Sequence, residues 1–557
     1  MKRSSLFIAI LLLSAGVASA QTGQERLDAV SAHMQRIQNL SARLPASAKM
    51  RLSSGAQHLL YMAGKWDEIG PQLSGSIALN TPLKPRAAQV APTTLPLGKV
   101  SDPSMDLVLS RLAGFTQSET STAWCGRHVV VGYNDSGSII ETFFSPGIGL
   151  SFNGYSLSTD AGRSFTDLGF LNPGPSVLNF LQGDPVVACS DENTFYYSSV
   201  FSSTLVTTEV SVSKSTDGGR TFGDPVSAVS KDAFTHVLDK PWMTVDPSDA
   251  RNIYVTYADF DFTGTVCPFQ GFNIELVRST DGGATWSAPT VVDSACFPDG
   301  NQGSTVAVDG AGNVFVAWEH FPAGTATNEI AIARSNDHGA SFAPKVVAAV
   351  VLPVGSPSGG TLQGGFRNNE FPSLAIDRSR RPGNGPLYLA WNDGRLGATP
   401  DFVGGSYNFG DVFVSRSDDG GATWSSAVRV NAASSTPADH YLPGIAVDRY
   451  GSVGICFYDR HRDPDNFFID RQCAHSRDGG VTWRNHRITK RSFAASIAAD
   501  QLINPVYMGD YDTVAADSTR AFHGFLGSYG DNTGGNPDVK ISRRFGQGEK
   551  EHEGRDD

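Results

Sequence analysis

Carboxylates gather at two kinds of position along this 557-residue chain. Seven short apolar runs end in an aromatic, and the residue two places on is Asp135, Ser199, Asp259, His320, Asp393, Arg460 or Asp531. Just ahead of a second set of apolar runs stand Asp184, Asp239 with Lys240, Asn301 with Gln302, Glu370, Asp439 with His440 and Tyr441, and Asp510 with Asp512. Crowded carboxylates raise one another's pKa and a neighbouring Arg lowers it, a mixture suited to acid–base chemistry. The least repetitive candidates are Arg395 in WNDGR, Arg460 to Asp463 in YDRHRD, the Glu319-His320 pair, and Tyr511 in GDYD. Two plainer readings stay open. An Asp at a strand end caps the following turn, and YDRHRD makes a surface ion pair. The oxygen-rich set also suits Ca²⁺, although no spacing demands a metal, and no cofactor is required.

The elements that position these residues repeat. One phrase occurs six times: Ser, any residue, Asp, any residue, Gly, any residue, Thr or Ser, aromatic. Its aspartates are Asp160, Asp217, Asp281, Asp337, Asp419 and Asp478, spaced 57, 64, 56, 82 and 59 residues apart. Asp followed by glycine makes a tight hairpin turn, because the carboxylate accepts backbone N–H bonds and Gly supplies positive φ. These six are therefore structural. Each box follows an alternating run that reads as a strand, such as Ile274 to Arg278. Ahead of that run comes a strand ending in an aromatic, from HVVVGY at Tyr133 to VGICFY at Tyr458, and most units carry a further apolar strand upstream. A seventh unit follows without a box: YDTVAAD, AFHGFLGSY and Asp538 to Arg543, the last matching Asp411 to Arg416.

The six boxes are Asp boxes, also called bacterial neuraminidase repeats, and residues 115 to 544 resemble the sialidase-like β-propellers. The resemblance implies four-stranded antiparallel blades, boxes on the face opposite the ligand, and a glycan or glycoprotein partner. Seven blades are favoured over six, with the ring closed by an upstream strand around Leu107 to Leu112; closure removes exposed sheet edges. Sialidases have six blades. They grip a sugar carboxylate with three arginines, whose planar fork suits it. They use an Asp as acid/base and a Tyr–Glu pair as nucleophile. Carried over, the arginines are Arg367, Arg395 and Arg460 or Arg462, with His320 and Tyr441 beside them. The acid is Asp259 or Asp261, and the pair is Tyr511 or Tyr441 with Glu319 or Glu370. The family's early (F/Y)RIP motif is missing; the nearest string is FRNNEFP at Phe366–Pro372. A non-catalytic propeller binding glycan or protein on the same face is the alternative to a glycoside hydrolase.

The expected organisation is a signal peptide over 1–20, a helical segment over 21–69, a Pro-rich linker over 70–102, the propeller over 103–544 and a disordered charged tail over 545–557. Lys2 and Arg3, the apolar run Leu6 to Leu13 and Ala18-Ser19-Ala20 make a leader cut after Ala20, so a secreted or periplasmic protein is expected. Leu27, Val30, Met34, Ile37, Leu40 and Leu44 follow helical spacing, a face for the propeller or a protein partner, and a second helix is expected over Leu59 to Ile69. Cys456–Cys473, Cys267–Cys296 and Cys125–Cys189 are the expected disulfides in an oxidising compartment. A net charge of −12 argues against nucleic acid. No later apolar run is long enough to span a membrane, and the P-loop, Rossmann, HExxH and GxSxG patterns are all missing.

Overall fold

Each of the six boxes folds onto itself in the same way. In the third box, Ser279 Oγ donates to Asp281 Oδ1 at 2.8 Å and accepts from Gly283 N at 2.9 Å. Thr285 N donates to Oδ1 at 2.9 Å, and Thr285 Oγ1 donates to Oδ2. The turn needs two residues in the left-handed region. Gly282 and Gly283 supply them here, while Ala161 and His338 take the first place in two other boxes. The aromatic that ends each box then packs among the side chains between blades, as Phe222 does against Tyr155 and Tyr197.

A computed structural model describes residues 4–78, 94–109, 112–356, 361–379, 385–400, 406–433, 436–495, 500, 502–503, 508–533 and 536–544. The expected tail and part of the expected linker lie outside these residues. The strands form a seven-bladed β-propeller whose blades pair their strands antiparallel and in chain order, blade 2 carrying in addition the short strand Leu150–Ser151 parallel to Phe180–Leu181. The innermost strands are Gln117–Cys125, Phe180–Cys189, His236–Val245, Gly300–Val308, Ser373–Ile376, His440–Val447 and Val514–Ala515, for blades 1 to 7. Residues from all seven inner strands or their immediate flanks line an axial cavity of about 220 Å³.

Ring closure differs from the expectation. Leu107–Leu109 pairs with Leu112–Gly114 in a hairpin of its own. The missing outer strand of blade 7 comes from further upstream. Val100 N donates to Val539 O at 2.9 Å and Ile541 N to Gly98 O at 3.1 Å, with Val100 buried beside Val539 and Ile541. A buried valine on the edge of Asp538–Arg544 excludes water from that edge better than a self-paired hairpin can.

Four helices precede the ring: α1 (Ser4–Arg43), α2 (Ala46–Arg51), α3 (Ser54–Gly64) and α4 (Trp66–Ala78). Helix α4 runs through Pro71, beyond where the linker was expected to begin, because Ile69 and Leu73 are buried in the cluster that holds α1. The apolar stripe of α1 is spent on the chain itself. Val30, Met34 and Ile37 join Ile139, Phe143, Phe152 and Phe180, and Leu44 joins the core of blades 3 and 4. The face that was a candidate for a protein partner is therefore covered. Among the described residues no helix is long and apolar enough to cross a membrane.

All three expected disulfides are present, Cys125–Cys189 joining blades 1 and 2 and the other two lying within blades 3 and 6.

The boxes give a prediction. Hydrogen bonds from Thr285, Thr423 and Thr482, then from the neighbouring serines, hold Asp281, Asp419 and Asp478 down at about 2, against an ordinary 3.8. The unfolded chain binds protons that the folded one does not over that interval. The stabilisation is complete above about pH 4 and is lost as pH falls through about 2. The melting temperature is expected to drop steeply over that window, and Asp281→Asn to flatten part of the drop; an unchanged slope in the variant contradicts this assignment.

Candidate functional site

The inner strands of five blades break register close to their starts. The breaks fall between Ser118 and Ser121, Gly183 and Val186, Asp239 and Trp242, Gln302 and Thr305, and Tyr441 and Gly444. Inside each break one residue has positive φ: Glu119, Asp184, Lys240, Gly303 and Leu442, between 49° and 69°. Non-glycine residues in this region cost about 1–3 kcal/mol each, and such strain clusters at functional sites. Bulges of this kind re-aim side chains. Here they bring Glu119, Asp184, Asp239 and Lys240 together, and Asp510 joins them from the lead-in to blade 7.

The cluster is buried and tightly bonded. Asn134 Nδ2 donates to Glu119 Oε2 at 2.7 Å, and Asn134 Oδ1 accepts from Asp184 N at 3.1 Å, so one amide sets both residues. Asp510 N donates to Glu119 Oε1 at 2.9 Å, and Lys240 N to Asp184 Oδ2 at 3.1 Å. Arg367 Nη2 grips both oxygens of Asp510, with Asn369 Nδ2 on Oδ1 at 2.9 Å. The Lys240 ammonium lies 4.0 Å from the centre of the Tyr511 ring and 4.4 Å from that of Trp242, a cation–π arrangement.

Four carboxyls thus face two cations, Lys240 and Arg367. Burial pushes Asp239 up to about 7, and Asp184 adds to the shift. Burial, then Asp184 and Asp510, hold Glu119 well above the carboxylate range, and burial also raises Asp184. Burial lowers Lys240 against the pull of its carboxylate neighbours. The site retains protons near neutrality and can deliver them. Lys240 and Arg367 supply positive charge on the axis, where the sequence made calcium possible.

The N-terminal helices close over this cluster. Ser53 caps α3, and its N and Oγ both donate to Asp239, each at 2.6 Å. Gln302 Nε2 ties Asp239 to Arg51 O, at 2.8 and 2.9 Å. Arg367 Nη1 donates to the carbonyls of Met50 and Leu52. Gly55 sits so close that a Cβ there would lie 2.1 Å from Asp184 Oδ1. Arg51 covers the Phe272 and Phe321 rings.

The expected site residues are dispersed. Arg367 is axial, but the three guanidinium groups do not converge on an open pocket, because each holds a different protein carboxylate: Arg367 takes Asp510, Arg395 takes Asp393 and Arg460 takes Asp439. Arg462 is exposed, 3.9 Å from Asp470. Asp259 is buried between Lys231 and His236, which hold its carboxyl below the usual range against the upward push of burial. Asp261 caps its own turn through Thr263 N. His320 bonds Asn301. Tyr511 donates its hydroxyl to Pro185 O at 2.9 Å, and the Tyr441 hydroxyl faces Met508 Sδ at 3.8 Å. Glu319 and Glu370 lie together, Glu370 N on Glu319 Oε2 at 3.1 Å, with burial raising Glu319 to about 7. Among the described residues the Tyr–Glu hydrogen bond falls instead between Tyr257 and Glu275, at 2.7 Å inside blade 3.

Asp184, Asp239, Lys240 and Asp510 were recognisable ahead of their apolar runs, whereas Glu119, Asn134 and Ser53 were not; the structure places Asp184, Asp239 and Lys240 within the inner strands. Glu119 had one usable signal: it stands six residues before Cys125, much as Asp184 stands five before the paired Cys189.

No family model and no curated protein matches the chain. Solved structures similar to it include the GH93 alpha-L-arabinofuranosidase of Fusarium graminearum, in complex with arabinobiose. That structure has 13% identity and a TM-score of 0.43, over 66% of this chain and 93% of that one. A PL25 ulvan lyase has 10% identity and a TM-score of 0.44, over 81% and 95%. The Trypanosoma rangeli sialidase, in complex with the inhibitor DANA, has 10% identity and a TM-score of 0.37, over 68% and 55%. Those activities belong to those proteins, and at TM-scores below 0.5 none of them bears on this chain.

The raised carboxyls predict a second pH limb. Asp239 and Glu319 titrate near 7 when folded and near their ordinary 3.8 and 4.5 when unfolded. The folded chain therefore holds more protons between, and their ionisation erodes stability as pH rises from about 4 through 7. Melting temperature is expected to decline from about pH 4 through about pH 7, and Asp239→Asn to reduce that decline. A variant whose decline is as steep as the parent's contradicts the raised Asp239.

Proposed function

We propose that this chain is an exported, glycan-acting propeller whose acid–base centre is the axial cluster, with residues 1–20 acting as its leader. The observation that carries the reading is the convergence of Glu119, Asp184, Asp239, Lys240 and Asp510 on strained inner-strand starts under a lid made by the same chain. In this reading Asp239 carries the proton for a glycosidic oxygen, and the Glu119–Asp184 pair provides the second carboxyl that such chemistry uses. Lys240 neutralises developing or substrate negative charge, while Arg367 holds Asp510 in place. The roles given to Asp259 and Asp261 pass to these axial residues. The way the lid binds supports the choice of ligand. Ser53 presents a hydroxyl and an N–H to a carboxylate, as sugar hydroxyls do, so the chain occupies its own site with a donor-rich surrogate.

Gly55 gives the test. Gly55→Val places side-chain atoms where Asp184 stands and lifts the lid without altering a propeller residue. The variant is expected to gain turnover over the parent by at least about tenfold. It is assayed on a fluorogenic sialoside, on neutral polysaccharides by reducing-end release, and on uronate-bearing polysaccharides by ultraviolet absorbance of an unsaturated product. Adding Asp239→Asn is expected to reduce that turnover by about 10²–10⁴-fold, the usual reach of a positioned acid. A folded Gly55→Val protein that retains polysaccharide without turnover overturns the enzyme and leaves a binding propeller; one that neither binds nor turns over overturns the glycan reading.

A further inference from the structure

At the end of blade 6 where its innermost strand begins, two imidazoles meet one carboxylate. His440 Nε2 lies 3.1 Å from Asp459 Oδ1, and His461 Nδ1 lies against Asp459 Oδ2. One ligand atom from each of the three residues falls within 4.8 Å of the others. We propose that His440, Asp459 and His461 form a binding site for a borderline divalent metal ion, zinc in the first instance.

Four features support a metal over an ordinary ion pair. First, His440 Nδ1 faces Gly410 O at 3.1 Å. A bond to that carbonyl makes Nδ1 the N–H and turns the Nε2 lone pair toward a carboxylate oxygen. Two lone pairs repel unless a proton or a metal ion sits between them, and an Nδ1–H bonded to a backbone carbonyl is how zinc-binding histidines are oriented. Second, the carboxylate is held in place from behind, since His461 N donates to Asp459 Oδ1 at 2.8 Å. Third, the Gln472 amide abuts both Asp459 Oδ2 and His461 Nδ1. Amide oxygen and nitrogen exchange places by a flip, and the flipped side chain offers Oε1 as a fourth donor.

Fourth, the other blades treat the same position differently: counted from the register break, Asp459 opposite His440 in blade 6 matches Asp259 opposite Leu238 in blade 3, and Arg460 lies one residue further on. The strand-end aspartate takes Lys231 with His236 in blade 3, Arg395 in blade 5 and Lys540 in blade 7. Where the repeat makes an ion pair there, it includes a Lys or Arg, with one imidazole added in blade 3. Among the described residues, blade 6 places no Lys or Arg on Asp459 and supplies two imidazoles. Nitrogen and oxygen donors in that number suit Zn²⁺ better than the oxygen-only sets of Ca²⁺ or Mg²⁺. Asp411, 3.7 Å from His440 Nδ1, adds negative charge nearby. The half-exposed His461 leaves the site open to solvent. The site does not depend on the axial cluster or on the glycan reading.

The test is zinc binding by tag-free, full-length protein, stripped with chelator and titrated calorimetrically with Zn²⁺, with the d–d absorption of Co²⁺ as a second readout. The expected result is one ion per chain and a Zn²⁺-dependent rise in melting temperature. His461→Ala and Asp459→Asn should each weaken affinity by at least about tenfold, the lower bound set by losing an outer-shell partner. His236→Ala in blade 3 should change nothing. His461→Ala is the decisive variant because its side chain is half exposed, so its loss leaves the core intact. No stoichiometric uptake, or uptake that survives His461→Ala, overturns the proposal and leaves an imidazole–carboxylate ion pair.

Discussion

Burying more carboxylates than cations at one point is the constraint on which the upper face of this propeller depends. Glu119, Asp184, Asp239 and Asp510 meet Lys240 and Arg367, and an uncompensated buried charge costs several kcal/mol. Three devices offset the excess. Protons stay on the carboxyls that burial raises. Arg367 and Asn369 saturate Asp510. The N-terminus of α3 brings the Ser53 donors and the positive end of a helix against Asp239. The lid is thus part of the electrostatics of the site, which accounts for helices at the start of the chain packing on a ring that begins many residues later.

The ring itself is simpler. Its stability lies in repeated interblade cores and in six boxes that satisfy their own turns. The boxes ask nothing of the upper face, so the axial residues are free to depart from the repeat. The strained φ values of Glu119, Asp184 and Lys240 are affordable because the inner strands below them, such as Met243 to Val245 and Val186 to Cys189, are buried in neighbouring cores.

Local chemistry was legible and long-range placement was not. The boxes, the three disulfides, the amphipathic α1 and the seventh unit follow from spacing and residue type. Asp184, Asp239, Lys240 and Asp510 were visible as polar residues ahead of apolar runs. The strand-two ends looked equally catalytic, yet Asp259 and Asp393 are held by their own cations, a distinction carried by Lys231, His236 and Arg395 and hidden in the motif. Val100 was missed as the closing strand because a single buried valine after a proline-rich stretch has no periodicity. Ser53 was missed because its partner, Asp239, is 186 residues away, and an N-cap serine reads the same whether it faces solvent or a carboxylate.

The central claim is that residues 51–56 seal the axial carboxylates in the resting protein. Hydrogen exchange at the amides of Ser53, Ala56 and Gln57 tests it most directly. The account predicts protection comparable to the inner strand of blade 3, collapsing when Asp239 is replaced by Ala. Exchange as fast as an exposed loop in the parent protein, or protection indifferent to Asp239→Ala, would contradict it.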